Sequence, residues 1–286
     1  MKGIYHSKDL DGFTSAAIFK LKYPEIELIG YDYADDIKFE IEKEPVIIAD
    51  VSFPIKTMIK FALASDFQIT WIDHHVSAIK EYNEFIGNDN ESYCTAVLEI
   101  GIAACECTWK YLFPNKKLPE AVLLLGEYDT WRNTDKDRWN NKILPFQYGM
   151  RLICNKPEKF PMELFESDEL IDKIIEDGKI ILKYQDSVNE KLCKSSSFEA
   201  DFQGKRAICL NGGGFNSDVF KSVYDEDKHD LMLPFIFDGK KWNFSIYTTK
   251  TDIDCSVIAK KLGGGGHKQA AGFSVDDILS IFPNLK

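Results

Sequence analysis

The 286-residue chain lacks any run of about 18 apolar residues, so nothing in it reads as a membrane span. It has no CxxC pair and an odd number of cysteines, seven. That excludes a fully paired secreted framework and predicts reduced thiols. Cys105 and Cys107 sit in an apolar stretch and read as core. No apolar leader follows Met1. MKGIYHSKDLDG turns acidic within its first nine residues, which predicts no export and a cytoplasmic location. An excess of basic residues is missing too: 35 Lys and Arg face 46 Asp and Glu, for a net charge of −11. Long nucleic acid is bound through many phosphate contacts to basic side chains, and no basic stripe supplies them here, so no long duplex is expected as a partner.

The chain is long enough for two domains and buries about three-quarters of its unfolded surface at this size, without help from disulfides. The acidity is uneven. Residues 1–200 carry 24 Lys and Arg against 35 Asp and Glu, whereas residues 201–286 carry 11 of each. A protein of this balance handles phosphate with local devices: metal ions, helix N-termini and a few placed cations.

Short β-type runs alternate with helical patterns over the first 130 residues. Lys2–Tyr5, Leu28–Tyr31, Val46–Ala49 and Ile69–Ile72 read as buried strands; Phe13–Lys22, Ile55–Ser65 and Thr95–Leu112 read as helices. This predicts an α/β unit with a mostly parallel sheet of the five-stranded type, flanked by helices, with its site at the carboxyl edge. Leu164–Ser195 is a polar-rich helical pattern interrupted only by Gly178 and reads as a connector. A smaller α/β unit follows. It has a strand near Arg206–Leu210, a helix near Asn216–Tyr224, a hairpin about Asp238-Gly239, and a helix near Cys255–Leu262 that runs into Gly263–Gly266. The expected boundaries are 1–160, 161–197 and 198–286. There is no internal repeat.

Acidic and imidazole residues recur just past the ends of the expected strands: His6, Asp9 and Asp11 in HSKDLDG, Asp50 after VIIA, and Asp73-His74-His75 after ITWI. Asp129 follows the helix PEAVLLLGEY. Each has an ordinary reading: Asp11 as a cap of the first helix, Asp50 as turn chemistry, the imidazoles as structural. Taken together, parallel strands would deliver all of them to one edge, where several carboxylates repel unless cations neutralise them. Carboxylate oxygens with one or two imidazoles suit Mn²⁺, or Mg²⁺, Fe²⁺ or Co²⁺, and no thiol is placed for a zinc site. The tail GGGGHKQAAGF reads either as a flexible linker or as a glycine loop before a helix N-terminus that cradles phosphate, with Gly264, Gly265, Gly266, His267 and Lys268 in contact with substrate. Arg132 reads as a phosphate contact or a partner of Asp135, Tyr128 and Trp131 as base-stacking or packing, and Arg151 as a second candidate phosphate clamp.

The set HxxDxD, a strand-ending Asp, Asp-His-His and a further Asp resembles the DHH phosphoesterase superfamily. The GGGHKQAAGF tail resembles the signature of its DHH-associated C-terminal domain. The motifs run from residue 6 to residue 273, and the chain is most similar to the nano-RNase and cyclic-nucleotide phosphodiesterase branch. The resemblance implies two Mn²⁺ ions, one held by His6, Asp9 and Asp50 and the other by Asp11, Asp50, His74 and Asp129. It implies catalytic roles for His75, facing the phosphate, and for Asp73, orienting the imidazoles. Many relatives have three residues between the first His and the first Asp; here there are two, Ser7 and Lys8. The implied activity is hydrolysis of short oligoribonucleotides (nano-RNA) to mononucleotides by an activated water. The alternatives are cyclic mono- or dinucleotide hydrolysis, a RecJ-type exonuclease, and a non-catalytic nucleotide sensor. A short RNA or nucleotide is the expected partner, with no membrane, and a homodimer is among the assemblies the sequence allows.

Overall fold

A computed structural model describes residues 1–33, 35–88 and 90–283. The chain begins β1 (Lys2–His6), α1 (Leu10–Lys22), β2 (Glu27–Tyr31), β3 (Val46–Ala49), α2 (Ile55–Ala64), β4 (Ile69–Asp73), α3 (Val76–Gly87), β5 (Thr95–Leu98), α4 (Ala104–Leu112) and α5 (Glu120–Asp129). The strands form an all-parallel sheet in the order β2-β1-β3-β4-β5. All four residues of β3 are buried, as expected of a central parallel strand covered on both faces. Its alternation sorts them into two cores. Ile47 and Ala49 pack with Phe13, Phe19, Ile72 and Trp109, while Val46 and Ile48 pack with Met58, Trp71 and Tyr82. The first residues of the chain therefore build a sheet whose carboxyl edge is free to carry polar side chains.

One expected helix is corrected. Thr95–Leu112 is not continuous: Thr95–Leu98 pairs with β4 as its edge strand, and Gly101 turns the chain at φ +95 before α4 starts. A short apolar run with few breakers does not distinguish helix from strand by periodicity. Here a free sheet edge and a left-handed glycine decide it.

After α5 come α6 (Lys136–Arg138), α7 (Leu144–Ile153) and the 26-residue α8 (Ile171–Ser196). By contact density the chain divides between Leu182 and Lys183, inside α8. The later unit holds β6 (Ser197–Phe202), β7 (Lys205–Asn211), β8 (Leu231–Phe237), β9 (Trp242–Tyr247), α9 (Cys255–Lys261), β10 (Gly265–Gly266) and β11 (Ala270–Val275). They form a mixed sheet ordered β10-β11-β9-β8-β7-β6, in which only β7 and β8 run parallel among the described pairs. The hairpin at Asp238-Gly239 forms as the sequence predicts, with Asp238 Oδ1 accepting from the Lys240 and Lys241 amides. The helix expected near Asn216–Tyr224 is a single 3₁₀ turn, Ser217–Phe220, capped by Asn216. The seven cysteines are free thiols, with Cys105 and Cys107 in the core. Among the described residues, no helix is long and apolar enough to cross a membrane.

Candidate active site

The strand ends and their following turns place the acidic and imidazole residues. His6 closes β1, and Asp9 is the N-cap of α1, accepting from the Gly12 amide at 3.0 Å through Oδ1. Its Oδ2 lies 2.8 Å from His6 Nδ1. The cap role that the sequence offers to Asp11 thus belongs to Asp9. Asp11 instead reaches across 93 residues of sequence to α4, where its two oxygens accept the Ala104 and Cys105 amides at 2.9 and 2.6 Å. Those amides are unpaired donors at a helix N-terminus, so a buried carboxylate satisfies them and is stabilised by them.

Asp50 follows β3 at φ 61, a left-handed conformation that Asp tolerates better than most residues. Its buried Oδ2 has no hydrogen-bond partner, and His6 Nδ1 stands 3.6 Å away. Asp73 ends β4 and is fully enclosed. Its Oδ1 accepts from the amides of His74 (2.7 Å) and His75 (3.0 Å) and faces His75 Nδ1 at 2.6 Å, while Oδ2 accepts from Trp71 Nε1 at 3.2 Å. Asp129 is the last residue of α5.

These elements bring one imidazole nitrogen, His74 Nε2, against three carboxylates: Asp50 Oδ1 at 3.3 Å, Asp129 Oδ2 at 3.4 Å and Asp11 Oδ2 at 3.5 Å. One proton cannot serve three such acceptors. Among the described residues, three sets of side chains have ligand atoms mutually within 4.8 Å and could hold a metal ion: His6, Asp9 and Asp50; Asp11, His74 and Asp129; Asp50, His74 and His75. The shortened His6–Asp9 spacing does not keep His6 out of the cluster. Hard oxygens, imidazoles and a buried Asp50 carboxylate that belongs to two sets and keeps one orphaned oxygen fit divalent cations.

The titration behaviour follows from the crowding. Burial, then the charges of Asp11 and Asp9, push Asp50 well above the ordinary carboxyl range. Asp129 is pushed the same way by burial and by Asp11. Burial pulls His6 down, but the Asp50 and Asp9 carboxylates outweigh it and raise its pKa to about 10. Burial pushes Asp9 and Asp73 up; contact with His6 and with His75 wins and holds them low.

Sequence reasoning missed two acidic residues nearby. Asp32, immediately after β2, lies 3.7 Å from His6 Nε2, and the same strand-end rule would have found it. Glu106, in the first turn of α4, is almost fully buried and paired with Arg132. No strand-end signal marks it.

No protein-family model matches the chain. It is 28% identical to the uncharacterized protein R106 of Acanthamoeba polyphaga mimivirus, over 98% of this chain and 68% of that one. It is 22% identical to oligoribonuclease NrnB of Bacillus subtilis, over 99% and 75%. Among solved structures, a pGpG-specific phosphodiesterase, PggH, from Vibrio cholerae aligns at a TM-score of 0.59 with 13% identity, covering 98% of this chain and 94% of that one. The DHH domain of a member of a family of ribosomal proteins aligns at 0.60 with 16% identity, covering 95% and 81%. In this chain Asp73 ends β4, and the His74-His75 pair that follows reaches the cluster. The chain shares the fold of these proteins, one of which is described as a DHH domain.

The remaining expected contacts fall into place around the aspartate–histidine cluster in different ways. Arg132 does not pair with Asp135. Its Nη2 bonds Glu106 and its Nε donates to Thr130 Oγ1 at 2.9 Å, and Asp135 instead caps α6. Tyr128, Trp131 and Trp139 form one ring cluster, and Arg151 lies over the Tyr128 and Tyr148 rings. Trp131 keeps 42% of its surface exposed and holds φ 54, unusual for a bulky residue.

In the second unit, the helix expected after the glycine run is a correction. Gly265 and Gly266 form β10 against β11, and His267, Lys268 and Gln269 are the exposed tip of that hairpin. Gly264 and Gly266 serve close backbone packing, since a Cβ on Gly264 would overlap the Gly272 carbonyl oxygen and one on Gly266 the Ala271 backbone, whereas Gly265 has open space beside it. No helix N-terminus is there to cradle phosphate. Tip amides and carbonyls are tied down instead, with the His267 amide donating to the Ala270 carbonyl and the Cys255 amide to the Lys268 carbonyl.

Proposed function

We propose that this DHH chain is a divalent-metal-dependent phosphodiesterase that hydrolyses short oligoribonucleotides to mononucleotides, with two Mn²⁺ ions as its cofactor. The observation that carries the reading is Asp50. Its buried Oδ2 lacks a hydrogen-bond partner, its Oδ1 faces His74, and its carboxylate belongs to both the His6–Asp9 set and the His74–His75 set. His6, Asp9 and Asp50 would hold one ion; Asp11, Asp50, His74 and Asp129 would hold the other. When bound, the pair supplies Lewis acidity toward the phosphate and lowers the pKa of an attacking water.

The chain's own residues do the positioning. Asp73 is held low in pKa and is therefore an acceptor, so His75 Nδ1 carries the proton between them. That leaves His75 Nε2 as the ring atom for the substrate, donating to a phosphate oxygen when the imidazole is protonated. Asp11, pinned by two amides of α4, presents its remaining lone pairs without a rotamer choice. The exposed His267 and Lys268 side chains supply an imidazole and an ammonium for substrate phosphates or bases. The acidic balance of the chain and an alignment over 99% of it with a relative named as an oligoribonuclease both favour short RNA over long strands.

The test is a panel of RNA di-, tri- and pentanucleotides, a strand of about twenty nucleotides, cyclic AMP and cyclic di-AMP, with Mn²⁺ and product chromatography; long-strand turnover would signal an extended single-strand tracking groove. Release of mononucleotides from the short linear members alone is expected. No product from any member, or turnover of only the cyclic or the long ones, would refute the reading.

A further inference from the structure

The pairing of Glu106 with Arg132 takes no part in the proposed chemistry, and Glu106 belongs to none of the sets that could hold an ion. Yet it links the two helix ends that carry Asp11 and Asp129. On one side, Glu106 Oε1 accepts the Ala103 amide at 3.2 Å, and the next two amides of the same turn, Ala104 and Cys105, hold Asp11. On the other side, the same oxygen takes Arg132 Nη2. Arg132 is fastened to the end of α5 twice more. Its Nε donates to Thr130 Oγ1, which donates to the Gly126 carbonyl at 2.7 Å, and its own amide donates to the Glu127 carbonyl at 2.9 Å. Asp129 lies inside that wrapped turn. Gly126 sits so close to Glu106 that a Cβ would overlap the carboxylate, so α5 rests directly on this group.

From this we infer that Glu106 and Arg132 act as a brace that fixes Asp11 and Asp129 at the separation needed to share one cation with His74. The inference rests on the metal reading of the same site. Glu106 is a positioning residue: it touches neither substrate nor ion and acts through the first turn of α4 and the last turn of α5. A carboxylate placed here adds like charge beside Asp129 in a crowded site, and its fixed partner Arg132, with the Ala103 amide, offsets that. Partners behind metal ligands typically set affinity by about 10–100-fold.

The experiment counts bound Mn²⁺ by electron paramagnetic resonance and calorimetry, without substrate, on wild type, Glu106→Gln and Arg132→Ala. Wild type should bind two ions. Each variant should keep one site at wild-type affinity, the one built on His6, Asp9 and Asp50, and weaken the other by about 10-fold or more. The double variant should be no worse than the weaker single, because the two groups act as one unit. Arg132 is 31% exposed, so its truncation keeps the test available if Glu106→Gln does not fold. A merely structural pair would lower the metal-free melting temperature and leave the two Mn²⁺ affinities in their wild-type ratio; that result overturns the brace. So does an Arg132→Ala variant with wild-type Mn²⁺ binding and a raised KM, which would make Arg132 a phosphate contact. Wild type that binds no Mn²⁺ defeats the metal reading itself, a distinct outcome.

Discussion

Replacing Asp50 by Asn should make the metal-free protein more stable and at the same time insensitive to Mn²⁺. Asparagine is the right substitution, because Asp50 holds φ 61 and Asn tolerates the left-handed region where Ala does not. The ligand atoms of Asp50 and Asp9 lie within 4.8 Å of each other, a like-charge repulsion of about 3.5 kcal/mol at an effective dielectric of about 20. Asp11 adds a comparable repulsion, and protonated His6 at 3.6 Å returns an attraction of about 4.6 kcal/mol on the same scale. The balance is a gain of about 2 kcal/mol on removing the charge, or about 4–8 °C in melting temperature for a unit of this size. In wild type, Mn²⁺ at 100 times its dissociation constant should add about 2.7 kcal/mol per site, which the variant forfeits at both sites if Asp50 is their shared ligand. Scanning fluorimetry in chelator, then across a Mn²⁺ titration, reads both effects. A variant that melts below wild type in chelator would show that carboxylate repulsion is not what burdens the site. A variant that keeps the full Mn²⁺ upshift would remove Asp50 from the set of metal ligands.

The metal-free protein should also lose stability as pH rises from about 6 to 9. His6 sets this window: its pKa is raised from the ordinary imidazole value to about 10, so the folded chain holds a proton there that the unfolded one loses. The raised pKa values of Asp50 and Asp129 push in the same direction above the ordinary carboxyl range. His6 contributes a slope of up to about 1.4 kcal/mol per pH unit, running out near its pKa of about 10. The depressed pKa values of Asp9 and Asp73 act only below the ordinary carboxyl range and do not oppose this. Saturating Mn²⁺ should flatten or reverse the slope, because ligands bind metal deprotonated; a metal-free melting temperature that rises with pH over this range would contradict it. In the second unit, His267→Ala should raise KM for a dinucleotide by about 10-fold, the order of one lost charge-assisted contact, with Mn²⁺ binding unchanged. A wild-type KM would remove the hairpin tip from substrate capture.

The strand-ending residues were legible because a parallel sheet turns sequence position into spatial position: whatever follows β1, β3 and β4 must meet at one edge. Asp32 follows β2 by the same logic and went unread, because Tyr31-Asp32-Tyr33 carries no motif to draw the eye to it. The role of Asp11 was half-legible. Its residue type signalled a cap, but which helix it caps depends on tertiary packing between segments 93 residues apart. Glu106 was illegible for a related reason, since in the sequence it is one charge among the Cys and Ala of ACECTW and its partner lies 26 residues on. The glycine tail misled in the opposite direction. Consecutive glycines before small residues suggest a phosphate loop entering a helix, whereas here they let two backbone strands approach closely.

The anchoring of Asp11 has a consequence for judging which chains of this kind still react. That carboxylate stitches the first helix to the fourth, so a lineage that abandoned chemistry but kept its shape would have to retain it. Asp50 carries no such architectural duty: its spare oxygen has no hydrogen-bond partner among the described residues, and its loss is expected to relieve crowding instead of opening a gap. On the proposed metal reading, Asp50 would be the first to drift once the chemistry was lost and Asp11 the last, so the aspartate after the third strand, more than the paired aspartates near the N-terminus, would mark a site that still holds its ions.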